Sequence, residues 1–195
     1  VIPDNTTIGE LLDRYEEEVS PLHKSHKVEK YRLKTIKGYL GDQRVSTLSP
    51  ALVCKYRDQR LKTISPASLK RELTILSSVL NIAVKEWGIN LQSNPVSMIS
   101  LPKIARGRDR RLEAGEEEKL LSATGELKRL IILALETGMR RGEILNIKRS
   151  HIDFVRQTLL IPLTKTDTPR TIPLSSKAIA VLREQLRGSE KVISI

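Results

Sequence analysis

Four side chains in the second half of this 195-residue chain have the types and spacing to grip an oxyanion. Arg140 and Arg141 follow Gly138-Met139, Glu143 comes three residues after Arg140, and Lys165 stands in the polar run Thr164-Lys165-Thr166-Asp167. Arginine's planar fork meets two oxygens of one anion and keeps its charge at any working pH. Two cations at the start of a helix oppose its macrodipole. The placement becomes favourable when an anion binds there, because free N–H groups and guanidinium groups then converge on one oxyanion. Glu143 falls on the same helical face as Arg140 and can hold that guanidinium in one orientation. A lysine at a hairpin tip is mobile and can be lowered onto a bound ligand.

The flanking sequence predicts the elements that must carry these groups. Leu130, Ile131, Leu133, Ala134 and Leu135 form an apolar run long enough for a buried helix, and Gly138 sits where a left-handed residue would end it. A second helix starts at or near Arg140. Thr158 to Pro162 reads as a strand, Thr166 to Pro169 as a polar turn and Arg170 to Leu174 as the return strand of a β-hairpin with Lys165 at its tip. Arg170 is expected to be a strand residue facing backbone or solvent, without a catalytic part.

These two stretches carry a family resemblance. Thr137-Gly138-Met139-Arg140-x-x-Glu143-Ile144-Leu145 resembles the first conserved box of the tyrosine recombinases, the phage-integrase family. Thr164-Lys165-Thr166 followed by Arg170-Thr171-Ile172-Pro173-Leu174 resembles that family's β-hairpin lysine motif. Either alone is weak; their order, with one strand-sized segment between them, makes the pair specific.

The resemblance implies a chemistry that the residues fit. A phosphodiester under nucleophilic attack gains negative charge on its oxygens, and fixed cations must neutralise it. Arg140 matches the family's first arginine and would take that role. The leaving 5′-oxygen needs a general acid, and Lys165 matches the hairpin lysine, its pKa lowered if bound DNA desolvates it. Glu143 would support Arg140 without acting as a catalyst. Arg141 either binds an adjacent phosphate or is simply exposed. The intact family enzyme would break and rejoin double-stranded DNA through a 3′-phosphotyrosyl link as a tetramer on two sites, with no metal or nucleotide cofactor.

Some of the family pattern is missing. No His-x-x-Arg box follows, and Tyr15, Tyr31, Tyr39 and Tyr56 all lie in the first part of the chain. His151 is too early for that box. The chain is therefore expected to lack the nucleophile and to be inactive alone, either a portion of a longer recombinase or a naturally shortened product. The rival reading is a non-catalytic, integrase-like DNA-binding factor that occupies sites and blocks the enzyme; a third is a helix-turn-helix regulator that happens to carry both motifs.

Composition agrees with a polyanionic partner. The net charge is +11, and the hydrophobic fraction of 39% suffices for cores built from Leu, Ile and Val, aromatics being scarce at 3%. No apolar run approaches the ~20 residues that span a bilayer, so nucleic acid is preferred over a membrane surface. The single Cys54 excludes an internal disulfide and fits a reducing cytoplasm; the family resemblance implies a bacterial or phage-encoded, nucleoid-associated protein.

The first hundred residues read as four helices with short connections, a bundle whose place before the motif pair resembles the family's DNA core-binding domain. Thr7-x-x-Glu10 is a capping box, and the first helix has an acidic outer face of Glu10, Asp13, Glu16, Glu17 and Glu18. The second inverts the charge. Lys24 precedes Lys27, Lys30, Lys34 and Lys37, which are spaced as one helical stripe suited to tracking phosphates. His23 and His26, without a carboxylate or thiolate partner nearby, are ordinary surface or DNA-proximal histidines. Ser49-Pro50 and Ser65-Pro66 start the third and fourth helices, the fourth with a seam of Leu69, Leu73, Leu76, Leu80, Ala83, Val84 and Trp87. Lys70 and Arg71 near its start would help a phosphate bind there. Residues 101–111, with Lys103, Arg106, Arg108, Arg110 and Arg111, form a basic tether that can lie across a DNA backbone. Residues 112–195 are expected to be the first part of an α+β catalytic domain, ending after a helix capped by Ser175 or Ser176 and closed by Gly188. The expected fold class is mainly α with a small antiparallel sheet.

Overall fold

In the computed structural model, residues 5–107, 109–162 and 168–186 are described. The fold is mainly α-helical with one small antiparallel sheet. The chain divides into two compact units, Val1–Gly107 and Arg108–Ile195.

The first unit is built on α1 (Ile8–Glu18), α2 (His26–Leu40), α3 (Pro50–Leu61) and α4 (Pro66–Lys85). Each helix start has a local cause. The Thr7 hydroxyl accepts the Glu10 N–H at 3.2 Å, while the Glu10 carboxylate accepts the Thr7 N–H at 2.8 Å. Ser49 and Ser65 accept from Leu52 and Ser68, each followed by a proline at the first helical position. The start of α1 is also tied to the loop after α2: Ile8 N donates to Gln43 O at 2.8 Å, Gly9 N to Gly41 O at 2.9 Å, and Val45 N to Thr6 O at 2.9 Å.

The α4 helix runs through the core and packs against α1, α2 and α3. It buries Leu69, Leu73, Leu76, Leu80 and Ala83, and also Ile75 and Val79. The seam expected from sequence was too narrow because α4 is covered on more than one side. Val84 is the reverse case, 41% exposed. Each large apolar side chain buried this way contributes about 1.5–3 kcal/mol. Asn94 fastens the irregular chain after α4: its Nδ2 donates to Ser77 O, Ser77 Oγ and Asn81 Oδ1 at 2.9–3.0 Å. Val96 is buried beyond it.

The second unit contains α5 (Glu116–Leu121), α6 (Gly125–Thr137), α7 (Arg141–Leu145), β1 (Ile152–Asp153), β2 (Thr158–Ile161), β3 (Arg170–Pro173) and α8 (Ser176–Gln185). The strands pair in the order β1-β2-β3, with Ile161 opposite Arg170 and Leu159 opposite Ile172. Leu159 and Ile161 face inward and Leu160 outward, as strand alternation requires. The core joins Leu133, Met139, Ile144 and Ile147 to Leu159, Ile161, Leu174, Ala178 and Leu182.

The α6 helix is less buried than its apolar run suggests. Leu133 is enclosed, but Leu135 is 40% exposed, because the contacts of α6 with α5, α7 and α8 cover only part of its surface. Ser175 caps α8, its hydroxyl accepting the Ala178 N–H at 3.2 Å. Gly188, expected to close that helix, lies outside the described residues.

Candidate functional site

The carboxylate of Glu143 organises the site in the second unit. Gly138, at φ +61°, ends α6 in the left-handed region open to glycine. Met139 is buried, and Arg140 in extended conformation caps α7. The turn brings Glu143 back under Arg140. Glu143 Oε2 accepts the Arg140 N–H at 3.0 Å, and Oε1 accepts Arg140 Nη1 at 3.1 Å. The helix start is thus capped from within, while the guanidinium, 63% exposed, reaches solvent.

The same carboxylate meets a residue from the sheet. Arg170 Nη1 donates to Oε1 at 3.2 Å and Arg170 Nη2 to Oε2 at 2.7 Å. This corrects the expectation that Arg170 faces backbone or solvent; its strand register turns it toward α7. Burial acts to raise the Glu143 carboxyl, but the Arg140 N–H and the guanidinium groups of Arg170 and Arg140 outweigh it and hold the group below the usual range. Glu143 is therefore ionised across working pH, with two cations on one anion.

A cleft of about 340 Å³ adjoins the carboxylate, lined among others by Met139, Glu143, Lys148, His151, Leu160 and Pro162. His151 Nδ1 accepts the Lys148 backbone N–H at 3.3 Å, so its Nε2 carries the proton in the neutral ring. Lys148 was not singled out by sequence reasoning, and Arg170 and His151 were considered there but given no part in the site. Arg170 and Glu143 are far apart in sequence, and no local spacing signals their pairing.

Other expected residues are placed variously. Lys165 and Arg108 lie outside the described residues. Arg141 is exposed, with no acidic partner among the described residues. Arg110 is paired with Glu116. Lys103, Arg106, Arg111, Lys70 and Arg71 are exposed.

The lysine stripe of α2 is not uniform. Lys30 pairs with Glu16 at 2.8 Å, and Lys37 donates to both oxygens of Asp13 at 2.7 Å. The acidic face of α1 therefore compensates two charges that the sequence suggested were free for phosphate. Lys27 and Lys34 remain exposed without an acidic partner among the described residues, flanking Tyr31, which is 75% exposed. Lys24 is exposed near the start of the same helix.

The two histidines nearby belong to a polar cluster. Glu29 accepts from the Ser20 hydroxyl at 2.9 Å and the Ser25 hydroxyl at 2.5 Å, and lies 3.0 Å from His23 Nδ1. His26 Nδ1 is 3.0 Å from Ser20 Oγ. A carboxylate partner does exist, on the next turn of α2. Among the described residues no group of three or more His, Cys, Asp or Glu is placed to hold a metal ion. No helix there is long and apolar enough to cross a membrane.

Comparison with known proteins returns two matches along the chain. Residues 110–193 match the Phage integrase family, and residues 4–103 match the Phage integrase, N-terminal domain. A shufflon-specific DNA recombinase of Escherichia coli is 37% identical over 185 residues, covering 88% of this chain and 48% of the relative. A putative integrase/recombinase of Haemophilus influenzae is 32% identical over 197 residues, covering 93% and 53%. A lambda integrase dimer bound to a COC′ core site superposes with a TM-score of 0.80 at 25% identity, covering 98% of this chain and 58% of that one. A lambda integrase tetramer bound to a Holliday junction gives 0.81 at 24%, covering 98% and 58%. The chain spans about half the length of the curated relatives it matches.

Proposed function

We propose, from the premise that this chain belongs to the phage integrase family, that it is the DNA-holding portion of a site-specific recombinase and carries part of its active site. The observation that carries this reading is the exposed Arg140 guanidinium tethered over a buried, ionised Glu143. Arg140 would meet the non-bridging oxygens of a phosphodiester and neutralise the charge that grows there during attack. Glu143 fixes its direction. Lys165 would protonate the leaving 5′-oxygen. The family reaction needs no metal or nucleotide, and the attacking tyrosine would come from sequence other than these residues, since Tyr15, Tyr31, Tyr39 and Tyr56 all belong to the first unit.

Double-stranded DNA is the partner, held by the uncompensated lysines of α2, by Lys70 and Arg71, and by the basic residues 103–111. Domain boundaries at 1–100, 101–111 and 112–195, a tetramer on two DNA sites and a nucleoid location in a bacterial cytoplasm belong to the same proposal.

The test is a suicide duplex carrying a nick near the cleavage point, offered to a recombinase that contains this chain. A covalent protein–DNA adduct is expected, abolished by Arg140→Ala while most of the affinity for duplex DNA persists. Binding without an adduct in the unsubstituted protein would favour the alternative, a non-catalytic DNA-binding factor. Affinity that does not fall with salt would overturn both readings.

A further inference from the structure

The contact between Arg170 and Glu143 has a use beyond holding the sheet to a helix. We infer that Arg170 is a positioning residue for Arg140: it grips the Glu143 carboxylate so that the Arg140 guanidinium is both aimed and left electrostatically open to a phosphate. The inference rests on the reading of Arg140 as a phosphate-binding arginine.

Three observations carry it. The first is geometric. The Arg140 guanidinium is 63% exposed and is held by Glu143 Oε1 at 3.1 Å. An exposed pair of this kind, three residues apart on one helix, is weak and seldom fixes a long side chain by itself. Here the acceptor is 7% exposed and is also bound by two Arg170 nitrogens at 3.2 and 2.7 Å. A two-pronged arginine–carboxylate contact fixes the plane of the carboxylate, and that plane sets where Arg140 points.

The second observation is the charge count. Glu143 and Arg140 alone would sum to zero, and an incoming phosphodiester would compete with the carboxylate for the only cation. Arg170 supplies a second cation to the same carboxylate, so the trio keeps one net positive charge. Glu143 Oε1 is shared between the two guanidinium groups.

The third is the origin of Arg170. It opens β3 opposite Ile161, the last residue of β2. The hairpin root and the first turn of α7 are therefore held in register through one buried carboxylate. Arg170 spends both terminal nitrogens on Glu143, which favours an indirect role over a phosphate contact of its own.

The experiment uses the 195-residue chain and a short fluorescent duplex of arbitrary sequence, with affinity measured against salt. Each phosphate contact contributes about 0.9 to the slope of log affinity on log salt. Arg140→Ala is expected to lower the slope by about that one contact. Arg170→Ala should lower it by the same amount, and the double variant by no more than either single one. Glu143→Gln gives the sharpest reading. It raises the net charge by one, so bulk electrostatics alone would tighten binding, whereas loss of aim should lower the slope as Arg140→Ala does. Arg170→Lys keeps the charge without the fork and should fall between. It and Glu143→Gln carry the test if Arg170→Ala does not fold.

A normal slope in Arg170→Ala, or tighter binding with a normal slope in Glu143→Gln, would overturn the inference while leaving Arg140 in place. A double variant that loses two contacts would overturn it in favour of a direct phosphate contact by Arg170. No change in Arg140→Ala would remove the reading beneath it, and the inference with it.

Discussion

Arg60 is locked onto Glu72 by two hydrogen bonds, from Nη2 to Oε1 at 2.6 Å and from Nε to Oε2 at 2.9 Å, with both side chains largely buried. The Tyr56 hydroxyl donates to the same Oε2 at 2.6 Å, so α3 and α4 are joined by a fully occupied carboxylate. Burial first, and then the adjacent carboxylate, push the Tyr56 phenol above its usual range, which keeps it a donor. Glu72→Ala would strand a buried guanidinium and a phenol. A loss of about 3 kcal/mol is expected, read from urea unfolding followed by the fluorescence of Trp87, the sole tryptophan.

The buried Glu29 makes the first unit sensitive to acid. Burial works to raise its carboxyl, but hydrogen bonds from Ser25, His23 and Ser20 outweigh it and depress the folded value below 4.5. A depressed carboxylate stabilises fully above the unfolded value, and that stability is lost as pH falls through the folded one. The thermal midpoint should therefore be flat near neutrality on account of this group and drop below pH 4.5. Glu29→Gln should lower the midpoint at pH 7 and weaken the acid-dependent fall; an unchanged pH profile would contradict the assignment.

Gly138 is a conformational requirement and nothing else. Its φ is +61°, and a Cβ there would meet nothing within 4 Å. Gly138→Ala should cost about 1–2 kcal/mol from backbone strain alone, and Gly138→Asn less. Denaturant titration followed by far-ultraviolet circular dichroism gives the comparison. Equal stability of all three would show that the turn before Arg140 adapts freely.

The divided lysine stripe predicts unequal effects on DNA. Lys27→Ala and Lys34→Ala should each lower the salt slope by up to about 0.9. Lys30→Ala and Lys37→Ala should change it little, because Glu16 and Asp13 already hold those charges. Anisotropy titrations at several salt concentrations decide the matter. Four equal losses would mean that DNA displaces the α1 carboxylates.

What could be read in advance depended on distance along the chain. The starts of α1, α3 and α4 were legible because Thr7, Ser49 and Ser65 bond within three residues of themselves. The end of α6 was legible because only glycine enters the left-handed region cheaply. The strand over Thr158 to Ile161 was legible from its run of Leu and Ile after Thr158. Relationships that close across the fold were not legible. Arg170 meets Glu143 only because β3 returns beside α7, and Lys30 meets Glu16 only because α2 lies against α1. Glu72 has no local signal of burial in the sequence; its burial follows from Tyr56 and Arg60 on a neighbouring helix. Family resemblance supplied roles for Arg140 and Lys165 that charge and spacing alone leave as anion binding.

The stitching of the α1 start to the loop after α2 sets a clock. The amides of Ile8, Gly9 and Val45 are held by carbonyls from another part of the chain, Gln43, Gly41 and Thr6. None can be released by fraying one helix turn; the two segments must part. Their deuterium uptake therefore follows the opening of the first unit as a cooperative whole. A ligand that binds only the closed bundle slows that uptake in proportion to its occupancy, so three backbone hydrogens report how much of the protein is on DNA.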